Sequence, residues 1–117
     1  MKKKVVILTM FFSLIGASLA FAANDFRSTQ ITGWQNDNTL FITGQNQYGH
    51  FGWKITSGKA KVTLYETCPN KPTKSLSYTV TSNGGTDYWM SSACDYHAQI
   101  IGSGVGLGTV WVQNYQN

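Results

Sequence analysis

Residues 59–67 read KAKVTLYET, and the spacing of their apolar side chains decides the fold. Ala60, Val62 and Leu64 alternate with Lys61, Thr63 and Tyr65. A period of two places one set on each face of a β-strand. Working outward, SLSYTVTS (75–82) sets Leu76, Tyr78 and Val80 against Ser75, Ser77, Thr79 and Thr81. CDYHAQI (94–100) sets Cys94, Tyr96, Ala98 and Ile100 against Asp95, His97 and Gln99. TLFIT (39–43) and TVWVQ (109–113) carry the β-branched and aromatic residues that suit a pleated surface. FRSTQIT (26–32), FGWKIT (51–56) and TDYWM (86–90) read as weaker strands.

Between these runs lie turn clusters: QNDN, GQNQYG, SGK, CPNKP, SNGG and SSA. The Asn83-Gly84-Gly85 step predicts a tight hairpin between Val80 and Tyr88. Beyond residue 22 no helical period is sustained. The sequence therefore predicts an all-β fold, a small antiparallel sandwich or barrel-like sandwich of about seven to eight short strands.

The first residues read differently. Lys2, Lys3 and Lys4 precede an apolar run from Val5 to Leu14, and Ala20 and Ala22 stand at the −3 and −1 positions of a cleavage site after Ala22. That is the layout of a secretory signal peptide, and the run is too short for a membrane span. Cleavage after Ala20, with Ser18 at −3, is the competing site. The expected organisation is a leader over 1–22 and one domain over 23–117, exported to the periplasm or the extracellular space. The mature chain has 117 − 22 = 95 residues.

Export alters the charge argument. The formal net charge of +4 includes the three leader lysines, so the mature chain carries six cations against five carboxylates, +6 − 5 = +1. Six scattered cations lack the clustered basic patch of a nucleic-acid footprint. Ninety-five residues bury a thin core, and a covalent staple would support it. Cys68 and Cys94 are the only cysteines, and an oxidising compartment predicts that they are bridged. The rival reading takes CDYH, residues 94–97, as half of a metal site, but no second pair stands at ligand spacing. No metal and no cofactor is expected.

The stretch GSGVGLG (102–108) has glycine at every second position. A dinucleotide loop needs glycine at its first, third and sixth positions and a helix after it. The sixth position is Leu107 or Thr109, and a strand follows. The expectation is a hairpin connection between HAQII and TVWV; the alternative is a mobile loop that presents Val105 and Leu107 to a membrane or a partner.

Catalytic parts are sparse. Asp37 lies in an Asn-rich turn, where its side chain caps its own backbone. Asp87 and Asp95 are expected at solvated strand starts, and Glu66 at a strand end. Asp95 and His97 share a strand face, so a contact between them is open. His50 sits among glycines and aromatics. No GxSxG elbow is present, and the chain is read as non-enzymatic.

The aromatic residues carry the functional expectation. Alternation places Tyr65, Trp89 and Trp111 outward, expected together with His97 on one exposed sheet face; the competing register makes them core. GQNQYGHFGW (44–53) is expected to be a binding loop offering Tyr48, His50 and Trp53, with Trp34 nearby. At the level of pattern the strand and turn order is similar to small accessory β-sandwiches of secreted bacterial proteins, and such a likeness gives no function. The sequence is thus read as a secreted binding module for a cell-envelope glycan or an extracellular protein. The alternative is a secreted antimicrobial or membrane-active toxin using residues 102–108, which the low charge weakens. An inhibitor of an extracellular enzyme is neither supported nor excluded.

Overall fold

A computed structural model describes residues 23–116; the expected leader lies outside the described residues. The described chain is all-β, with two antiparallel sheets and no helix. In chain order the strands are β1 (Phe26–Gly33), β2 (Asn36–Asn38), β3 (Ile42–Thr43), β4 (Gln47–Ile55), β5 (Lys59–Thr67), β6 (Lys74–Val80), β7 (Gly84–Met90), β8 (Asp95–Ser103) and β9 (Val105–Gln113). Sheet I has the order β1-β9-β4-β7. Sheet II has the order β2-β8-β5-β6, and β3 also pairs with β8. Thus β2 and β3 form one interrupted edge strand, split by Thr39, Leu40 and Phe41.

The inner faces carry the alternating apolar sets. Phe51, Trp53, Ile55, Met90, Val110 and Val112 of sheet I meet Ala60, Val62, Leu64, Tyr96, Ala98 and Ile100 of sheet II, all buried. Each of these side chains is worth of the order of 1.5–3 kcal/mol when fully buried, for the larger ones. The predicted inward sets of β5 and β8 are those that are buried.

The connections differ from the sequence reading. Asn83-Gly84-Gly85 makes no hairpin, because β6 lies in sheet II and β7 in sheet I. Likewise GSGVGLG joins no hairpin. Its glycines extend β8 and open β9, and only Ser103–Val105 turns the chain from one sheet to the other. Turn chemistry encodes a reversal but not whether the returning strand pairs or crosses to the facing sheet. The crossing residue Gly104 has φ +80°, and Gly58, in the neighbouring crossing from β4 to β5, has φ +77°. A side chain at Gly58 would also strike the Gly104 carbonyl, so both positions suit glycine alone. The true hairpin is β5–β6, across CPNKP.

Cys68 and Cys94 are bridged, as the sequence predicts, with a sequence separation of 26. They follow β5 and precede β8, one step beyond the Thr67–Asp95 pair. Both pack against the core. At the same end Glu66 points inward, where its carboxylate accepts hydrogen bonds from the hydroxyls of Tyr96 (2.6 Å) and Tyr88 (3.4 Å). Burial first, and then this carboxylate, push the Tyr96 phenol far up. Glu66 and the two cysteines form a metal-sized cluster, but the sulfurs are bonded to each other and offer no thiolate. The buried Asn114 ties the chain ends together: its Oδ1 accepts from the Asp25 amide (2.8 Å), and its Nδ2 donates to the carbonyls of Thr43 (2.8 Å) and Ala23 (3.1 Å).

Candidate functional site

The site is the outer face of sheet I. Trp111 of β9 stands opposite Gly52 of β4, and Gly52 stands opposite Gly85 of β7. A Cβ on Gly52 would overlap the six-membered ring of Trp111. The indole therefore lies down across the bare backbone of Gly52 and is half-buried there. In the adjoining row, Phe26, Gln113, His50 and Asp87 stand side by side across the four strands. His50 Nδ1 and Asp87 Oδ1 are 2.9 Å apart, and Gln116 Nε2 donates to Asp87 Oδ2 at 2.8 Å. The His50 hydrogen bond, the largest influence, holds the Asp87 carboxyl below its usual range. The His50 Nε2 edge is turned towards Gly85, where a Cβ would come within 2.5 Å of it. His50 and Trp111 have ring centroids 6.3 Å apart.

One row further along, Tyr48 and Trp89 are cross-strand partners and meet edge to face at 5.4 Å. Both are 51% exposed. On the other side of Trp111 a shallow depression is lined by Phe26, Ser28, Gln30, Lys54 and Thr109. The face is thus a strip of aromatic rings edged by amides and hydroxyls, with the His50–Asp87 pair at its centre.

Several predicted residues belong elsewhere. Tyr65 and His97 share a face, but it is the outer face of sheet II, opposite to Trp89 and Trp111. The expected single cluster is therefore divided, because β5 and β8 belong to one sheet and β7 and β9 to the other. On sheet II, His97 is stacked on Tyr65 (4.9 Å) and meets Phe41 at a tilt (4.4 Å). The open Asp95–His97 contact is not made: Asp95 accepts from Thr43 Oγ1 at 2.8 Å, and the buried Nδ1 of His97 has no hydrogen-bond partner.

The binding loop expected over 44–53 is strand from residue 47 onward, continuous with the weaker strand predicted at 51–56, and together they form β4. Trp53 consequently points inward and is a core residue, only 7% exposed, between Phe51 and Tyr78 (both 5.3 Å). Trp34 is exposed in the turn after β1, away from the strip. Val105 is 2% exposed and belongs to the core, while Leu107 is exposed. No mobile tip presents that pair, because backbone bonds pin Gly106 to Ser57 (2.9 Å) and Thr56 to Leu107 (3.1 Å).

Asp87, Gln113, Gln116 and the glycine floor were not singled out as site residues by the sequence. Their signal was the glycine at every third position in GHFG and the paired glycines 84–85, which read as turns until the strands are placed side by side. General-base chemistry needs a reacting group within hydrogen-bond reach of the histidine. Among the described residues no serine, threonine or cysteine is bonded to His50, whose partner is Asp87.

No protein-family model matches the chain, and neither a curated protein nor a solved structure matches it.

Proposed function

We propose that the protein is an exported, non-enzymatic binding module that recognises a cell-envelope glycan with the outer face of sheet I. The carrying observation is Trp111, laid flat on the Gly52 backbone and bordered by hydrogen-bonding groups. A pyranose ring offers the complementary surface. Its C–H face packs on an indole by dispersion and through the ring quadrupole. Its hydroxyls exchange hydrogen bonds with amides and with a carboxylate such as Asp87. The few charges on this face suit a neutral ligand better than an acidic one. The disulfide is consistent with an oxidising compartment outside the cytoplasm.

The test is a glycan array probed with the disulfide-bonded mature chain, followed by titration of tryptophan fluorescence with the polysaccharides retained. Retention of at least one polysaccharide, lost in Trp111→Ala, is expected. An array without retention, with fluorescence unchanged by every polymer, overturns the reading. The membrane-active alternative keeps Leu107 but not Val105, and liposome leakage by the same preparation would replace the glycan reading with it.

A further inference from the structure

We infer that the ligand is a linear glycan chain lying along the strands and engaging two aromatic stations at once, not a single terminal sugar. This rests on the glycan reading above. The first station is Trp111, over Gly52. The second is the edge-to-face pair of Tyr48 and Trp89. Gly52 and Tyr48 lie four residues apart on β4. At about 3.4 Å per residue, the stations are separated by about 14 Å along the strand. One pyranose cannot bridge that span, whereas a chain of about three units can.

The ground between the stations is polar. His50 and Asp87 occupy the intervening row as direct cross-strand partners, flanked by Gln113 on β9. A chain stacked at both ends would therefore place its middle unit over a carboxylate that already accepts two hydrogen bonds and retains lone pairs for hydroxyls. On β4 the outward position between Tyr48 and Gly52 is His50 alone, and the exposed Gln116 side chain that reaches Asp87 from beyond β9 is the group the middle unit would displace. The second station raises affinity by converting a separate encounter into an intramolecular one.

The polymer retained on the array is cut by partial hydrolysis and size-fractionated into oligomers of one to six units, each titrated calorimetrically against the disulfide-bonded mature chain. Affinity is expected to rise by about tenfold or more between one unit and three to four units, then to level off. Trp89→Ala should bring the tetramer back to the affinity of the dimer. Trp89 is exposed, so this variant keeps the fold, which its unchanged melting temperature would verify. A wild-type protein that binds one unit within about twofold of the tetramer overturns the inference, as does a Trp89→Ala protein with unchanged tetramer affinity. Either result leaves the glycan reading standing. Failure of every polymer and oligomer removes both.

Discussion

The two outer faces of the sandwich both carry exposed aromatic rings, but they use them in opposite ways. On sheet II, Tyr65 stacks on His97 at 4.9 Å and Phe41 packs against the same imidazole at a tilt, so one face of Tyr65 is already occupied by a neighbour. Tyr65 adds a hydrogen bond to Gln99 at 3.2 Å, and Thr63 and Ser77 close over the neighbouring row at 2.8 Å. On sheet I, glycines replace side chains beside Trp111, and the ring lies against backbone with polar groups around it. An exposed aromatic residue is thus no site by itself. What matters is whether its π-face is spent on a neighbour or left to a ligand.

The largest expected effect concerns the staple that sheet II has and sheet I lacks. Cys68→Ala with Cys94→Ala should lower the unfolding free energy by about 2–5 kcal/mol. Denaturant unfolding of the double variant measures it, and a loss below about 1 kcal/mol would show that the hairpin end is held by packing alone. The aromatic strip of sheet I should survive at temperatures where the variant remains folded.

A smaller effect is expected from Gly52→Ala. The new methyl group would overlap the Trp111 ring, which must lift or slide. Overpacking of this kind costs about 1–3 kcal/mol. Because the strain falls on the indole, binding should fall with stability, and an unchanged near-ultraviolet tryptophan spectrum would contradict the described packing.

The smallest effect sharpens the contrast on the sheet II side. Desolvation depresses the His97 imidazole below its ordinary value. Of the groups near it, Asp95 is bonded to Thr43, while Tyr65 stacks on the ring and Phe41 packs against it at a tilt. The unfolded chain therefore takes up this proton first. The associated stability is full above about pH 6.5 and is lost as the pH falls below it towards the lowered folded value. Carboxylates such as Asp87 and Asp37, also held low, act the same way only near pH 4 and below. His97→Gln should thus flatten the decline of melting temperature between pH 7 and 5. Parallel slopes in the two proteins would contradict the desolvated environment.

Much of the fold was legible because period two is a local property. Ala60, Val62, Leu64, Tyr96, Ala98 and Ile100 declare their inward face within single strands. The cysteine pair was legible from number and compartment. What single strands cannot declare is sheet membership. Of the two registers the sequence left open for Tyr65, Trp89 and Trp111, the structure has the outward one, but it divides them and His97 between two faces, because outwardness is local and adjacency is not. The turns at Asn83-Gly84 and at Gly104 read as hairpins for the same reason. Trp53 and Val105 went astray where glycine dominates: glycines 49 and 52, and 106 and 108, look like loop yet serve as close-packed strand positions.

Under the proposed function the sheet I strip binds the glycan and the aromatic cluster on sheet II does not. The direct measurement is a paired titration of Trp111→Ala and Tyr65→Ala against the polysaccharide that the wild-type protein retains, with melting temperatures recorded for both. A loss of about tenfold or more in affinity is expected for Trp111→Ala, in the range of a lost aromatic stacking contact, and Tyr65→Ala should bind as the wild type does. Equal losses in the two variants, or a loss confined to Tyr65→Ala, would contradict it.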